Sequence, residues 1–309
     1  MSGFLEGKVV AITGAGRGIG RAIALECAAE GASVVVNDYG VSMDGSEPSS
    51  EVADAVVAEI TGAGGKAVAV ADSVATMAGG ERIVQTAVDT YGRIDGVVCV
   101  AGNLRERMLF NMSEDEWDAV IATHLKGTFT LFRAASAVMR KQKFGRLIGF
   151  TSGAGMYGSI AQANYSAAKG GIVSLVRSAA VGLGKYGITA NCIAPVARTR
   201  MSENVPGSLA ENGDPEDVAP MAVYLLSDAA ADVSGQVYTV VGGRIGVWNQ
   251  PQEVRSIIKD GRWSPEEIAN RFSTLGTEKL PFYEIMEQMQ KASAAAAGDP
   301  PADQSAAAS

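Results

Sequence analysis

The segment ANYSAAKGG, residues 163–171, places a tyrosine and a lysine where they could carry out proton transfer. Tyr165 and Lys169 are four positions apart, so on a helix their side chains share one face. A free tyrosine has a pKa of about 10, and a neighbouring ammonium group lowers that pKa toward the range useful for a base. Ser152 lies upstream, and its hydroxyl can hydrogen-bond an oxygen whose charge changes during a reaction. A tyrosine beside an ordinary solvated lysine is the alternative.

A glycine-rich loop follows the first apolar run of the chain. The sequence TGAGRGIG, residues 13–20, stands between a predicted strand and a predicted helix. Glycine there lets the backbone approach a pyrophosphate, and the next helix offers unpaired N–H groups to it. A turn without a ligand is the alternative. The loop predicts dinucleotide contacts from Gly14, Arg17, Gly18, Ile19 and Gly20.

The second apolar run tests this prediction independently, because it ends in VVVND with Asp38. A carboxylate about 20 residues beyond the glycines can accept hydrogen bonds from the adenosine ribose and would repel a 2′-phosphate. This pattern favours NAD over NADP. The alternative is an aspartate that only caps a helix or a turn.

Weaker signals end the next two apolar runs. Asp72 and Ser73 lie at the end of the third run, where a carboxylate and a hydroxyl could face the adenine. Ala101 and Gly102 end the fourth, and their small size would admit a cofactor closely. Neighbouring parallel strands bring such residues to one edge of a sheet, so we assign all four to the same dinucleotide site.

Seven short apolar runs alternate with longer amphipathic stretches. Continuous apolar runs are typical of strands buried on both faces, and strand–helix alternation indicates a parallel sheet. The sequence therefore predicts the α/β class, with a Rossmann-type, doubly wound, parallel seven-stranded sheet in a single domain. The predicted strands are 8–14, 33–38, 67–72, 95–102, 146–152, 189–195 and 236–243.

The pattern divides the chain into three parts. We expect the sheet domain over 5–245, a helical C-terminal extension over 246–291, and a disordered low-complexity tail over 292–309. Within the domain, Ser113 with Glu116 forms a capping-box pattern that predicts a long helix. Asp214 followed by proline predicts the start of another.

The composition excludes several classes of protein. The chain has 309 residues, 47% of them hydrophobic and 19% charged, with a net charge of −8. This composition is typical of a globular protein and argues against general affinity for nucleic acid. Its three cysteines are widely spaced and its one histidine is His124, so we predict reduced core thiols and no metal site. The sequence shows no leader pattern and no membrane-spanning run, and we expect a cytoplasmic protein.

These motifs together resemble the short-chain dehydrogenase/reductase family, over roughly residues 5–245. TGAGRGIG, Ser152 and YSAAK match the family's glycine motif and its Ser–Tyr–Lys set in order and spacing. The resemblance implies an NAD-dependent enzyme acting on CH–OH, in which Tyr165 is the acid/base and Lys169 binds the ribose. It also implies that Ser152 orients the substrate oxygen, and that Pro195 and Thr199 lie at the nicotinamide.

The chain departs from the family pattern at three places. Cys99 and Val100 stand where the family has two asparagines, and Val196 stands where a glycine commonly follows Pro195. His124 takes the position of the helix asparagine that is the family's fourth catalytic residue. We expect His124 to take over the asparagine's role of holding water in the proton relay, against the alternative of a structural histidine.

Longer stretches resemble one branch, the (3R)-hydroxyacyl-CoA dehydrogenase domains of peroxisomal multifunctional enzymes type 2. THLKGTF, YGSIAQANYSAAK, IAPVARTRM and the helical tail carry this resemblance. It implies an acyl-CoA substrate, which could be steroid-derived, and a homodimer or homotetramer. Arginines 105, 107, 198 and 200 are candidate CoA contacts or plain surface charges. The rival interpretations are a 3-oxoacyl-ACP reductase, a dehydrogenase of steroids or small alcohols, and a dinucleotide sensor without catalysis.

Overall fold

The computed structural model describes residues 3–40, 49–197, 213–278 and 280–287. The chain divides into two compact units, Met1–Trp248 and Asn249–Ser309. The first unit holds the sheet and the residues singled out above.

The first unit is built on one sheet whose described strands follow the order β3-β2-β1-β4-β5-β6-β7-β8. All neighbouring pairs from β3 to β7 are parallel, which confirms the predicted α/β architecture. Every residue of β1, β4 and β5 is buried, as expected for strands covered on both faces. The strands are β1 Val9–Thr13, β2 Ser33–Asn37, β3 Lys66–Val70, β4 Gly96–Cys99, β5 Gly145–Phe150, β6 Ile188–Pro195, β7 Val237–Val241 and β8 Arg244–Val247.

The eighth strand departs from the prediction of seven. It pairs antiparallel with β7, and Val241 faces Arg244 across a connection of two residues, Gly242 and Gly243. Two glycines between apolar runs are a β-hairpin signal, because tight hairpin turns require a positive φ, and Gly242 has a φ of +51°. Our prediction of seven strands ended the sheet at this turn and was wrong there.

Helices cover both faces of the sheet. The core on one face includes residues of α1, α2 and α8, and the core on the other includes residues of α3, α5 and α7. The predicted capping box is present at Ser113, and the helix predicted to start after Asp214 is present and also begins with a capping box. The helices of this unit are α1 Gly18–Ala29, α2 Glu51–Gly62, α3 Met77–Tyr91, α4 Glu114–Ile121, α5 Gly127–Gln142, α6 Gly153–Tyr157, α7 Ala163–Leu183 and α8 Pro215–Leu226. A π-helical turn, Ala122–Lys126, joins α4 to α5.

The second unit is less helical than predicted. Residues 251–259 form no regular structure where we expected a helix, whereas α9, Pro265–Leu275, begins at a capping box on Ser264. Residues 281–287 are helical, and the predicted disordered tail over 292–309 lies outside the described residues. The cysteines are buried and free, as predicted. No helix in the described parts of the chain is long and apolar enough to cross a membrane.

Candidate active site

The glycine loop lies where the strand order reverses, between β1 and α1. Gly14 has a φ of +62°, and a Cβ there would lie 2.8 Å from the Cα of Ala101. A Cβ on Gly20 would lie 2.2 Å from the carbonyl oxygen of Gly14. Only glycine allows this close packing, and Arg17, the N-cap of α1, makes no side-chain cap. The first turn of α1 therefore keeps unpaired N–H groups beside the loop, which is what a pyrophosphate site requires.

Asp38 is hydrogen-bonded to this loop. Its carboxylate accepts a hydrogen bond from the backbone N–H of Gly16 at 2.9 Å and another from Gly40 at 2.8 Å. The two bonds use different carboxylate oxygens, and each oxygen keeps lone-pair capacity for a further donor. Residues 41–48, which come next in the chain, lie outside the described residues.

The remaining predicted contacts at the strand ends differ in their surroundings. Asp72 forms a two-point ion pair with Arg82, which the sequence did not predict. Ser73 accepts a hydrogen bond from the backbone N–H of Ala75. Ala101 and Val100 both donate their backbone N–H groups to the hydroxyl of Thr13 at 3.2 Å, and this brings the end of β4 to the glycine loop.

The structure brings Ser152, Tyr165 and Lys169 together at the end of β5. The Ser152 side chain acts on the Tyr165 hydroxyl and favours a lower pKa there. The Lys169 ammonium lies 5.4 Å from the centroid of the Tyr165 ring and donates to the carbonyl oxygen of Phe150 at 2.8 Å. Thr151 fixes the same turn of α7 by donating to the Lys169 carbonyl oxygen at 2.9 Å. The three predicted catalytic residues therefore form one cluster.

Burial governs the acid–base properties of this cluster. It raises the pKa of Tyr165, and the Ser152 side chain only partly opposes the rise. It lowers the pKa of Lys169 to about 8, which leaves the lysine mostly charged at pH 7. We predicted that Lys169 lowers the pKa of Tyr165; in the protein alone that pKa is instead raised, because removal from water disfavours the phenolate.

His124 lies in the π-helical turn and is 2% exposed. Its ring meets the Tyr165 ring edge-on, with centroids 5.2 Å apart. Nε2 lies 3.1 Å from the backbone nitrogen of Asn103 and 2.8 Å from its carbonyl oxygen, whereas Nδ1 is buried without a partner among the described residues. Burial, with Lys169 as a second cause, lowers the pKa of His124 to about 3. The imidazole is therefore neutral at physiological pH.

Sequence reasoning missed two asparagines at this site. Asn103 follows Gly102 and donates its amide to Thr123 and to the carbonyl oxygen of Ala119. Asn164, fully buried, precedes Tyr165 and bonds both to that residue and to the segment after β4. A polar residue beside each recognised motif was the available signal, but its partners are distant in sequence.

The remaining residues predicted for the site are Pro195, Thr199 and four arginines. Thr199, together with arginines 198 and 200, lies outside the described residues, and Pro195 ends β6. Arg107 pairs with Glu116 at 2.9 Å, and Arg105 donates to the carbonyl oxygen of Leu104. The described residues hold no cluster of histidine, cysteine and acidic side chains that could bind a metal.

The glycine cradle, the uncapped helix and the carboxylate beside them fit a nicotinamide dinucleotide. Gly14 and Gly20 leave no space for side chains where the backbone must approach a ligand, and Asp38 is held at the loop's edge. Gly14, Gly18 and Gly20 would hold the pyrophosphate, and Asp38 the adenosine ribose. Lys169, on the catalytic side, would hold the second ribose.

Comparison with known proteins agrees with this geometry. The chain is 44% identical over 280 residues to a hydroxyacyl-CoA dehydrogenase, ChsB1, of Mycobacterium tuberculosis, covering 85% of this chain and 87% of that protein. It is 45% identical over 273 residues to mouse peroxisomal multifunctional enzyme type 2, covering 87% of this chain and 37% of that protein. The branch resemblance drawn from the sequence is thereby confirmed.

A 3-oxoacyl-[acyl-carrier-protein] reductase of Synechocystis is also similar, at 43% identity over 250 residues, covering 78% of this chain and 98% of that protein. The crystal structure of a short chain dehydrogenase from Mycobacterium avium matches with a TM-score of 0.80 at 48% identity, covering 90% of this chain and 97% of that one. The short chain dehydrogenase family model matches residues 8–208. The chain thus belongs to the short-chain dehydrogenase/reductase family, as an oxidoreductase that acts on CH–OH groups with a nicotinamide cofactor.

Proposed function

We propose that the protein oxidises a (3R)-hydroxyacyl-CoA to the 3-oxoacyl-CoA with NAD⁺. The observation that carries the chemistry is the cluster in which Lys169 lies 5.4 Å from the centroid of the Tyr165 ring and Ser152 acts on the hydroxyl of the same tyrosine. The relatives named as a hydroxyacyl-CoA dehydrogenase and as peroxisomal multifunctional enzyme type 2 support the substrate class.

The residues of the cluster divide the work of the reaction. A bound nicotinamide would supply the acceptor for the hydride that leaves C3 of the substrate. Ser152 holds the substrate oxygen, and the Tyr165 phenolate takes the hydroxyl proton as the carbonyl forms. Lys169, charged at pH 7, stabilises the phenolate in the loaded enzyme, where the cation offsets the cost of burying that negative charge.

We propose that His124 completes the proton path as a neutral group. Its Nδ1 is a buried polar atom without a partner among the described residues, and its ring touches Tyr165. Such an atom is suited to hold a water molecule, because an unsatisfied buried polar group is costly. With a pKa of about 3 it passes a proton by hydrogen-bond exchange rather than by becoming an imidazolium ion.

The NAD preference is proposed from Asp38. Its carboxylate is hydrogen-bonded to the backbone of Gly16, and a carboxylate that binds the adenosine ribose would repel the 2′-phosphate of NADP. We expect wild type to prefer NAD⁺ in kcat/KM, and Asp38→Ala to reduce that preference at least tenfold. A wild type that prefers NADP⁺ would contradict the assignment.

The substrate test is a panel of initial-rate assays. We would follow NADH formation with (3R)- and (3S)-hydroxyacyl-CoA and with free steroid alcohols, and NADH or NADPH consumption with a 3-oxoacyl-carrier protein. Turnover of the (3R)-CoA ester with NAD⁺ at a kcat/KM far above the others supports the proposal. Turnover restricted to the carrier-protein substrate would instead assign the reductase role that the Synechocystis relative names.

We also propose that the enzyme is a homodimer or homotetramer, as its resemblance implies. Phe129 on α5 is 44% exposed and Val181 on α7 is 88% exposed. These are the two helices that we expect to pair between subunits, and large apolar side chains on an unpartnered helix face favour such an interface.

A further inference from the structure

The start of α7 lacks a conventional cap. Gln162, at the N-cap position, makes no side-chain cap hydrogen bond. Instead, Asn164 Oδ1 accepts the backbone N–H of Tyr165 at 2.8 Å. One of the N–H groups that a helix start leaves unpaired is therefore satisfied from inside the helix. This bond acts on the backbone of the proposed acid/base residue itself.

The other end of the same amide reaches two separate elements. Asn164 Nδ2 donates to the carbonyl oxygen of Arg105 at 3.0 Å and to that of Glu116 at 2.9 Å. Arg105 belongs to the segment after β4, and Glu116 to the first turn of α4. The side chain is 0% exposed, so these bonds are shielded from water.

Further contacts join the segment after β4 to the residues just before α7. Arg107 donates its backbone N–H to the carbonyl oxygen of Ala161 at 2.8 Å and forms an isolated parallel bridge with Gln162. Gln162 in turn donates to the carboxylate of Glu106. Ala161 has a φ of +58°, a left-handed conformation that a non-glycine residue keeps only when its surroundings impose it.

The segment after β4 also contacts the rest of the site. It begins at Gly102, and the backbone of Asn103 holds Nε2 of His124. One continuous strip, residues 102–107, thus passes from the predicted cofactor contacts to His124 and then to Asn164. A shift of the strip would reach the Tyr165 backbone through a single amide group.

We propose that Asn164 is a positioning residue that holds Tyr165 and the strip 102–107 as one unit. It touches none of the reacting atoms and acts through the backbone of Tyr165. Its loss displaces the phenol relative to the bound substrate, and small displacements in such sites lower the turnover rate by up to about a hundredfold. The inference rests on the proposed role of Tyr165, not on the identity of the acyl group.

The chain offers a matched control in Asn191, a second buried asparagine. This residue lies in β6; its Nδ2 donates to the carbonyl oxygen of Val233 at 2.7 Å and its Oδ1 accepts from the Gln236 backbone at 3.1 Å, and neither partner belongs to α7 or to the strip 102–107. Asn164→Ala and Asn191→Ala therefore both remove a buried amide with backbone partners. Both should lower the melting temperature, and only one should lower kcat.

The experiment measures kcat, KM and the Kd for NADH of both variants, normalised to folded protein, on any alcohol or acyl-CoA that wild type turns over. We expect Asn164→Ala to lower kcat ten- to a hundredfold with the NADH Kd within threefold, and Asn191→Ala to keep kcat within twofold. An unchanged kcat in Asn164→Ala, or an equal loss in both variants, would overturn the proposal.

Asn164→Ser serves if the alanine variant does not fold, because serine keeps a polar group but cannot bridge both carbonyl oxygens. The same loss of kcat is expected, and wild-type kcat would overturn the proposal. Tyr165→Phe separates the two claims: activity in that variant would contradict the proposed catalytic role of Tyr165, whatever the result at Asn164.

Discussion

The charge of single residues at this site is set by burial more than by partners. His124 and Lys169 both lose water and both have lowered pKa values, about 3 and about 8. The histidine is therefore neutral and the lysine charged at pH 7. The pair can cooperate without mutual repulsion, which two cations in the same buried space would suffer.

The neutral histidine makes the protein sensitive to acid. The unfolded chain binds a proton at His124 near pH 6.5, whereas the native state excludes it until about pH 3. The stability that the neutral His124 provides is therefore fully present above pH 6.5 and is lost as the pH falls below that value. Between pH 7 and pH 5 we expect wild type to lose about 2 kcal/mol more unfolding free energy than His124→Asn. Urea unfolding of both proteins at the two pH values measures the difference.

An equal loss in the two proteins would show that His124 is protonated in the native state. The same neutrality predicts that the kcat of wild type has no pH limb from His124 between pH 5 and 8. The profile of His124→Asn should have the same shape over that range, and a limb present only in wild type would contradict the proposed relay.

Residue identities at this site could be predicted from the sequence, but not their partners. Ser152, Tyr165 and Lys169 follow from motif and spacing because the strand and helix that carry them are regular. The Asp72–Arg82 pair and the amide bonds of Asn164 were not foreseeable, since each depends on side-chain packing. The pKa of Tyr165 was misjudged for the same reason, because burial is a property of the folded site.

At the scale of elements, the turn from β1 to α1 depends on the absence of side chains. A Cβ on Gly20 would lie 2.2 Å from the Gly14 carbonyl oxygen, and backbone atoms cannot move aside as a flexible side chain can. We expect Gly20→Ala to raise the NADH Kd at least tenfold, measured by fluorescence titration. Gly62→Ala is the control, since a Cβ there meets nothing within 4 Å. Equal affinity in the two variants would exclude the loop as the pyrophosphate site.

Elements were predicted well where a pattern was long and poorly where it was short. The first seven strands and the helix that begins at Ser113 follow from apolar runs and cap residues. Strand β8 has only four residues, and its hairpin signal lay in Gly242 and Gly243, which we took as an end rather than a turn. The stretch 251–259 has apolar residues at helical spacing but forms no helix, because periodicity alone does not decide short segments.

At the scale of the whole molecule, α5 and α7 carry the expected assembly surface. Val181→Glu places a charge on an 88% exposed apolar position of α7. We expect the variant to sediment as a smaller species than wild type, because burying an unpaired carboxylate in an interface is costly. Ala58→Glu, at an exposed position of α2, is the control and should leave the sedimentation unchanged. A monomeric wild type, or an unchanged Val181→Glu, would contradict the proposed interface.

The proposed reaction depends on one proton transfer at Tyr165 that is coupled to hydride loss from a (3R)-hydroxyacyl-CoA. The most direct test is NADH formation from that substrate and NAD⁺ by wild type and Tyr165→Phe, with NADH binding measured in parallel. Loss of the phenol should lower kcat at least about a hundredfold, the usual contribution of a general base, with the NADH Kd unchanged. Turnover by Tyr165→Phe within tenfold of wild type would contradict the account.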